Sequence, residues 1–353
     1  NDLDPALVDD VIMGCVMQVG EQALNVGRNA VLAAGWPESV PATTIDRQCG
    51  SSQQALHFAA QGVMAGAYDV VVAAGVEVMT RTPMGSSVVR DLGFPFGPRV
   101  MSRYAERGGL VSQGEGAELI AEKWGISRDQ LDEFAVRSHR LAAQATAEGR
   151  FEREIIPVAI RDDDGSETDE LVTADEGIRP DSSVEVLGNL KPAFRAENGR
   201  ITAGNSSQIT DGASATLVMS EEKAAALGLT PRARFVGFAV AGADPITMLT
   251  GPIPATRQVL ERAKLTLDDI DLVEINEAFA SVPLAWAAEL GADMEKVNVN
   301  GGAIALGHPL GASGAKLMAT LLNELERTGG RYGLLTMCEG GGLANATIIE
   351  RLG

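Results

Sequence analysis

A strand, a turn of small residues, a helix and a second strand follow one another in residues 40–77, VPATTIDRQCGSSQQALHFAAQGVMAGAYDVVVAAGVE. The apolar run within Asp69–Ala74 is typical of a strand that helices cover on both faces, and it indicates an α/β fold. Cys49 lies between the first strand and a helix that we predict over Gln53–Ala65. Small neighbours would let another molecule approach its sulfur, and the positive end of a helix favours thiolate over thiol. Cys49 is therefore a candidate nucleophile.

A similar order of elements recurs in the second half of the chain, in IDLVEINEA at 270–278 and again from 297 to 341. The glycine-rich turn at 307–311 occupies the place that Cys49 has in the first half. We therefore predict two related halves whose equivalent turns face one cleft. Residues 81–110 are crowded with Gly, Pro and Arg and show no period, which predicts a long loop or an inserted subdomain.

Composition restricts the classes of function. Of the 353 residues, 45% are hydrophobic and 22% are charged, as in globular proteins, and the net charge of −19 argues against nucleic acid and anionic membranes as partners. Three cysteines do not make a disulfide framework, so we expect a reducing cytoplasm. We expect no membrane insertion, because no apolar run reaches the ~20 residues of a membrane span. No cluster has zinc spacing. The chain begins with Asn1 on a strand pattern, and we expect that an N-terminal piece precedes it.

The three histidines have different surroundings. His57 lies among apolar residues of the predicted helix, where a packed structural role is expected. His139 flanks the apolar face of a second helix, which begins with a capping box at 127–130, and we expect it on the surface. His308 stands in GGAIALGHPLGASGAK, a glycine-rich turn before a helix. Such a turn positions a side chain for chemistry, so His308 is the candidate catalytic histidine.

Two more residues stand where strands end at turns. Cys338 closes an apolar strand that runs into three glycines, which would give access to the thiol and leave N–H groups free for an oxyanion. Asn276 ends the strand in EINEAFAS, and two interpretations stay open. It either caps a helix, or it donates a hydrogen bond or holds a water over a cleft. Cys15 has no comparable surroundings, and we expect it in the core.

The chain resembles the thiolases, acyl-CoA acetyltransferases that cleave or form 3-ketoacyl-CoA. The resemblance runs from about residue 6 to the C-terminus, and four segments carry it: IDRQCGSSQQALHFAAQGV, VEINEAFAS, NVNGGAIALGHPLGASGAK and GLLTMCEGGGLANATIIE. It implies a five-layered α/β/α/β/α fold with two duplicated halves and an inserted loop domain. We expect a first half of residues 1–80 and 208–231 that lacks its first strand and helix, an inserted domain of 81–207, and a second half of 232–353.

The same resemblance implies roles for the candidate residues. Cys49 becomes the acyl-cysteine, His308 activates it, and Cys338 moves a proton to or from the CoA sulfur or the acetyl α-carbon. Asn276 holds a water in one oxyanion hole beside His308. The N–H groups of Cys49 and Gly340 make the second hole, over the thioester oxygen.

Coenzyme A is implied as co-substrate, with acyl-CoA and CoA as the small-molecule partners and no tightly bound cofactor. Arg179 resembles a family residue near the adenine, Ser207 one that bonds the pantetheine arm, and Phe279 is a third candidate for CoA binding. The family also implies a homodimer that assembles into a homotetramer.

Two departures from the family bear on the reaction. Ser52 replaces a common glycine and is expected to add bulk near the nucleophile. Ser112 and Gln113 stand where acetoacetyl-CoA-forming members carry a His-Met pair, which favours a degradative enzyme with a roomier acyl pocket. The alternatives are a biosynthetic acetoacetyl-CoA thiolase, an inactive scaffold, and a ketoacyl synthase, against which Cys338 in CEGGG argues.

Overall fold

The computed structural model describes residues 3–162 and 164–353. The strands are β1 (Asp10–Gly14), β2 (Ala42–Ile45), β3 (Val70–Val78), β4 (Val158–Arg161), β5 (Glu167–Val172), β6 (Asp211–Met219), β7 (Ala233–Gly242), β8 (Leu272–Ile275), β9 (Tyr332–Glu339) and β10 (Leu343–Arg351). The helices are α1 (Val26–Ala33), α2 (Ser51–Met64), α3 (Pro98–Ala105), α4 (Gln113–Lys123), α5 (Arg128–Ala147), α6 (Val184–Gly188), α7 (Glu221–Ala226), α8 (Pro252–Ala263), α9 (Ser281–Leu290), α10 (Ala303–Leu306) and α11 (Ser313–Thr328). None of the helices in these two ranges is both long and apolar enough to cross a membrane.

Three consecutive strands of the two four-stranded sheets correspond, β1-β3-β6 in the first and β8-β9-β10 in the second. The first has the order β2-β1-β3-β6, with β1 parallel to β2 and β3, and β6 antiparallel to β3. The second has the order β7-β10-β9-β8, with β8 parallel to β9 and the other pairs antiparallel. Val297 forms a parallel bridge with Val273 of β8, in the place that β2 has beside β1. The predicted duplication is therefore confirmed, because equivalent strands follow the same order in both halves.

The layers are those predicted for a five-layered fold. Helices α2 and α11 pack against each other between the two sheets, α1 covers the outer face of the first sheet, and α8 and α9 cover the second. The central layer contributes fully buried leucines such as Leu56 and Leu321 to one core. A Cβ atom at Gly314 would overlap the backbone of Gln53, so glycine there permits the close approach of the two helix starts.

The chain between β3 and β6 carries α3 to α6 and the β4–β5 hairpin. Its capping box is confirmed, since Gln130 N donates to Ser127 Oγ (3.2 Å) and Ser127 N donates to Gln130 Oε1 (2.8 Å). β4 and β5 pair antiparallel, which the acidic composition of the residues between Arg161 and Glu170 does not indicate. Residues 81–110 include α3, a helix too short to show a period. The three domain ranges given above stay a prediction.

One predicted helix is partly wrong. The sequence predicts one helix over Glu21–Ala34, but Leu24 and Asn25 have positive φ angles of 54° and 60° and interrupt it. A 3-10 turn precedes this kink, and α1 begins only after it. The Asn25 side chain accepts from Arg28 N at 3.2 Å and caps α1.

Candidate active site

Cys49 lies on the turn between β2 and α2, and its environment supplies hydrogen-bond donors. Its own N–H and that of Gly340 lie beside the sulfur and lower the pKa of the Cys49 thiol. Gly340 follows the last residue of β9, so this strand end of the second half meets a helix start of the first. The two N–H groups that the family resemblance implies for an oxyanion hole thus point to one place.

Cys49 is 5% exposed and protonated at rest, although its place before a helix favours the thiolate. Burial, and then the nearby Glu339 carboxyl group, raise the pKa of Cys49 to about 12. The surrounding donors oppose this rise but do not cancel it, because desolvation penalises any buried charge. The nucleophile therefore needs a base that takes its proton.

His308 is held in the form that a base requires. Its turn begins at Gly307, whose φ of +81° favours glycine. Ser313 Oγ donates to Pro309 O at 2.8 Å, so the hydroxyl accepts from His308 Nδ1–H at 2.6 Å. The proton is thereby assigned to Nδ1, and Nε2 keeps its lone pair. Asn276 Nδ2 lies 3.3 Å from that Nε2 and donates to it.

The imidazole is neutral at physiological pH. Burial, with a contribution from Lys316, lowers the pKa of His308 to about 4. Cys49 and His308 are both uncharged, so proton transfer between them creates two charges at once. The arrangement therefore favours transfer only when substrate atoms and N–H groups stabilise the product.

Asn276 and Cys338 complete the cluster. The Asn276 side chain reaches both His308 and Cys338. Helix α9 begins only at Ser281 and has no side-chain cap, so the interpretation of Asn276 as a helix cap is wrong. Its buried Oδ1 has no partner among the described residues. Burial, and then neighbouring Cys49, raise the pKa of Cys338 well above its usual range. Cys338 is therefore a weak acid beside the nucleophile.

Residues that sequence reasoning missed hold the His308 turn from the other half. The buried carboxylate of Glu77 accepts from Gly311 N at 2.8 Å and from Val16 N at 2.9 Å. Ser52 N donates to Gly311 O at 3.1 Å, and Ser52 Oγ accepts from Ala315 N at 3.0 Å. Ser52 thus satisfies a free N–H in the first turn of α11, whose own N-cap makes no side-chain bond. These hydrogen bonds join residues that are far apart in the chain, so no local sequence pattern predicts them.

Two side chains beside the sulfur were also missed. The Gln113 side chain lowers the pKa of the Cys49 thiol, and its Nε2 is 3.6 Å from the position that a Cβ on Gly340 would take. Glu339 is buried against Gly50, and neither carboxyl oxygen has a partner in the described part of the chain. Burial raises the pKa of Glu339 well above its usual range. The replacement of the His-Met pair was the one available signal for Gln113.

The remaining histidines and Cys15 are structural. His57 is buried with Nε2 2.7 Å from Thr347 Oγ1, and Cys15 is buried, as predicted. The surface position expected for His139 is wrong. It is 5% exposed, and its Nδ1 accepts from Arg179 N at 3.1 Å. The segment that carries Arg179 covers this side of α5, which the helical pattern did not reveal.

The three candidate CoA-binding residues come together near the cluster. Ser207 N donates to Ala278 O at 3.0 Å, and the next residue, Phe279, stacks edge-on against Phe194 with ring centres 5.9 Å apart. Arg179 is exposed. Gln208 Nε2 donates to Gly177 O at 2.8 Å and so ties the Arg179 segment to the segment that carries Ser207. Their functional role stays a prediction.

An apolar groove of about 650 Å³ opens beside the Gly340 turn. Its lining includes Phe94, Phe96, Val100, Met248, Gly341 and Gly342. Phe94 is 64% exposed and Phe96 48%, so water contacts large apolar surfaces here. A chain bound to this groove would reach the cluster along the glycine turn.

Comparison with known proteins finds two matching domain families, similar curated relatives and a similar solved structure. The thiolase N-terminal domain family matches residues 1–222, and the thiolase C-terminal domain family matches residues 229–351. The steroid 3-ketoacyl-CoA thiolase FadA6 of Mycobacterium tuberculosis is 53% identical over 99% of this chain and 85% of its own. A 3-ketoacyl-CoA thiolase of Aliivibrio fischeri is 49% identical over 99% and 88%. The crystal structure of the Bacillus anthracis acetyl-CoA acetyltransferase has a TM-score of 0.87 and 42% identity over 99% of this chain and 89% of that one.

Proposed function

Because this chain belongs to the thiolase family, we propose that it is an acyltransferase that cleaves 3-ketoacyl-CoA with coenzyme A through an acyl group on Cys49. The observation that carries this proposal is the single cluster in which the Cys49 sulfur, two N–H groups, Asn276, His308 and Cys338 meet. The degradative direction is supported by relatives of about 50% identity that are named 3-ketoacyl-CoA thiolases.

The first half-reaction begins with the neutral pair. The Asn276 amide releases His308 Nε2, Cys49 transfers its proton to that nitrogen, and the thiolate attacks the 3-keto carbon of the substrate. The carbonyl oxygen of the substrate becomes an oxyanion and accepts hydrogen bonds. Fixed donors stabilise this developing charge more than they stabilise the uncharged carbonyl. The C2–C3 bond then breaks, and Cys338 gives its proton to the α-carbon of the departing acetyl-CoA. The shortened acyl group stays on Cys49.

The second half-reaction returns the enzyme to rest. Cys338, now a thiolate, takes the proton of an incoming CoA thiol, and the CoA sulfur attacks the acyl-cysteine. The N–H groups of Cys49 and Gly340 hold the thioester oxygen, Cys49 leaves as thiolate, and His308 returns its proton. CoA acts as a substrate throughout, with Arg179, Ser207 and Phe279 as its proposed contacts.

The substrate's acyl chain is proposed to occupy the groove beside the Gly340 turn. Roughly 20 groups of water size would fill 650 Å³ at about 30 Å³ each, which exceeds the needs of an acetoacetyl group. We therefore expect kcat/KM to rise with acyl length, and Val100→Trp to lower it for long chains while sparing acetoacetyl-CoA. A maximum at acetoacetyl-CoA would instead support the biosynthetic alternative.

The decisive experiment is mass spectrometry of the intact protein after mixing with acetyl-CoA, followed by peptide mapping. We expect one acetyl group on Cys49 and none in Cys49→Ala. If the folded protein takes no acyl group from acetyl-CoA or from a longer acyl-CoA, the result would support an inactive scaffold instead of an enzyme. We also propose a cytoplasmic homotetramer built from homodimers, on family resemblance alone.

A further inference from the structure

Gln113 is fixed beside the nucleophile by the start of α4. It is the first residue of that helix, and the preceding Ser112 accepts from Glu115 N at 3.3 Å. A Cβ on Gly114 would overlap the ring of Phe194, so the helix start packs tightly against its neighbour. The Gln113 backbone is therefore held in place while its half-buried side chain extends towards the Gly340 turn.

The amide of Gln113 is suited to one task at this place. Its NH2 group only donates hydrogen bonds, and its Nε2 lies 3.6 Å from the position that a Cβ on Gly340 would take, beside the turn of the Cys49 thiol whose pKa it lowers. We propose that Gln113 is a catalytic residue that donates a hydrogen bond to the Cys49 thiolate, and this inference rests on the function proposed above. With the N–H groups of Cys49 and Gly340 it forms a three-donor site around the sulfur.

The surroundings explain why a third donor matters. Burial and then Glu339, the last residue of β9, oppose negative charge on Cys49. Cys338 is the other titratable neighbour, and it is Cys49 that raises the pKa of Cys338. Once an acyl group is attached, the two backbone N–H groups serve its carbonyl oxygen. The side-chain donor remains for the sulfur, which again becomes a thiolate when the Cys49–acyl bond breaks. Hydrogen bonds to a charged atom are stronger than those to a neutral one, so the donor favours thiolate over thiol in both half-reactions.

The test compares Gln113→Met with Gln48→Met. Methionine keeps the length of glutamine and removes the donor. Gln48 is the matched control, because its side chain also lies against Gly340 while its NH2 group is directed to Asp46. Alkylation of Cys49 by iodoacetamide is followed by peptide mass spectrometry across a pH series, and thiolysis of acetoacetyl-CoA is measured in parallel.

We expect Gln113→Met to slow alkylation and to lower kcat by about 10- to 100-fold, the range for losing a hydrogen bond to a charged group. The alkylation rate should fall at every pH of the series below the thiol pKa, while KM for CoA stays within about threefold. Gln113→Glu, which has no donor there and adds charge, should react more slowly still. Gln48→Met should stay within about threefold of wild type.

Each result decides the matter. A wild-type rate in Gln113→Met, or an equal loss in both methionine variants, would overturn the role of Gln113. Alkylation needs no turnover, so this holds even if the protein is not a thiolase. Failure of the proposed function is recognised separately, by the absence of an acyl group on wild-type Cys49.

Discussion

The turns that carry Cys49 and His308 occupy equivalent places in the two halves, yet they surround their side chains in opposite ways. N–H groups converge on the Cys49 sulfur, and its pKa is raised to about 12. A hydroxyl oxygen accepts from His308 Nδ1, and the histidine pKa is lowered to about 4. The two halves thus supply equivalent turns with different side chains. The groups around Cys49 stabilise negative charge on its sulfur, whereas those around His308 leave its Nε2 able to accept a proton.

The most severe way to break this complementarity is to remove the base. His308→Ala should lower kcat/KM for thiolysis by about 10³- to 10⁴-fold, because Cys49 loses the acceptor for its proton. His57→Ala, at a buried histidine outside the cluster, should reduce stability and leave alkylation of Cys49 within about threefold. Steady-state assays and alkylation rates check both variants. A loss below about tenfold in His308→Ala would assign the proton to another group.

Replacing the second thiol should separate the two half-reactions. Cys338→Ser should lower thiolysis by about 10²- to 10⁴-fold, because a hydroxyl is a poor source of the α-proton. Transfer of an acetyl group from acetyl-CoA to Cys49 should persist, and intact-mass spectrometry detects it. Normal turnover in this variant would contradict the role given to Cys338.

The pH dependence of stability sharpens the comparison between titratable groups. Burial lowers the pKa of His57 to about 3 and that of His308 to about 4, below the ordinary value of 6.5. The unfolded chain therefore binds more protons below pH 6.5, and the free energy of unfolding falls as pH drops from 6.5 towards 4. Urea unfolding of His57→Asn should show a slope shallower by about 1.4 kcal/mol per pH unit in this range. If wild type and His57→Asn show the same dependence of unfolding free energy on pH, His57 titrates alike in the folded and unfolded chains and is in contact with solvent.

The smallest expected effect tests whether Ser52 positions the two turns. Ser52→Ala removes the bond to Ala315 N, and Ser214→Ala removes the bond from Ser214 Oγ to Ala312 O (2.6 Å). Both should lower the free energy of unfolding by about 1–3 kcal/mol. Only Ser52 lies on the helix of the nucleophile, so only Ser52→Ala should also lower kcat, by about 3- to 10-fold with KM unchanged. Equal kcat values in the two variants would reduce Ser52 to a structural role.

The sequence predicted features that depend on local chemistry. Cys49, His308 and Cys338 could be found because each reactive side chain stands on a glycine-rich turn at the end of an apolar run. Duplicated order predicted that the turns would face each other. Gln113 was visible only as a departure from the family pattern, since its contact with the sulfur depends on how α4 is seated.

Features that depend on tertiary packing were not predictable. Glu77 and Ser52 bind the opposite half through backbone groups, which have no sequence signature. His139 was misplaced because a helix flank does not reveal which loop covers it. The protonation of Cys49 also depends on tertiary packing. The helix start favours the thiolate, but the depth of burial raises the pKa more and keeps the thiol protonated.

The Ser52–Ala315 hydrogen bond has a consequence for how the protein is made, because its partners are 263 residues apart in the chain. At about 5–20 residues per second, a ribosome that has released Cys49 needs tens of seconds to deliver the turn that packs against it. The nascent first half therefore carries a reactive thiol with no second half to bury it. We expect protection of Cys49 from alkylation to arise only in the last phase of refolding, after both sheets have formed. Synthesis in an oxidising medium should then inactivate the chain before it is complete, whereas the finished enzyme resists the same oxidant.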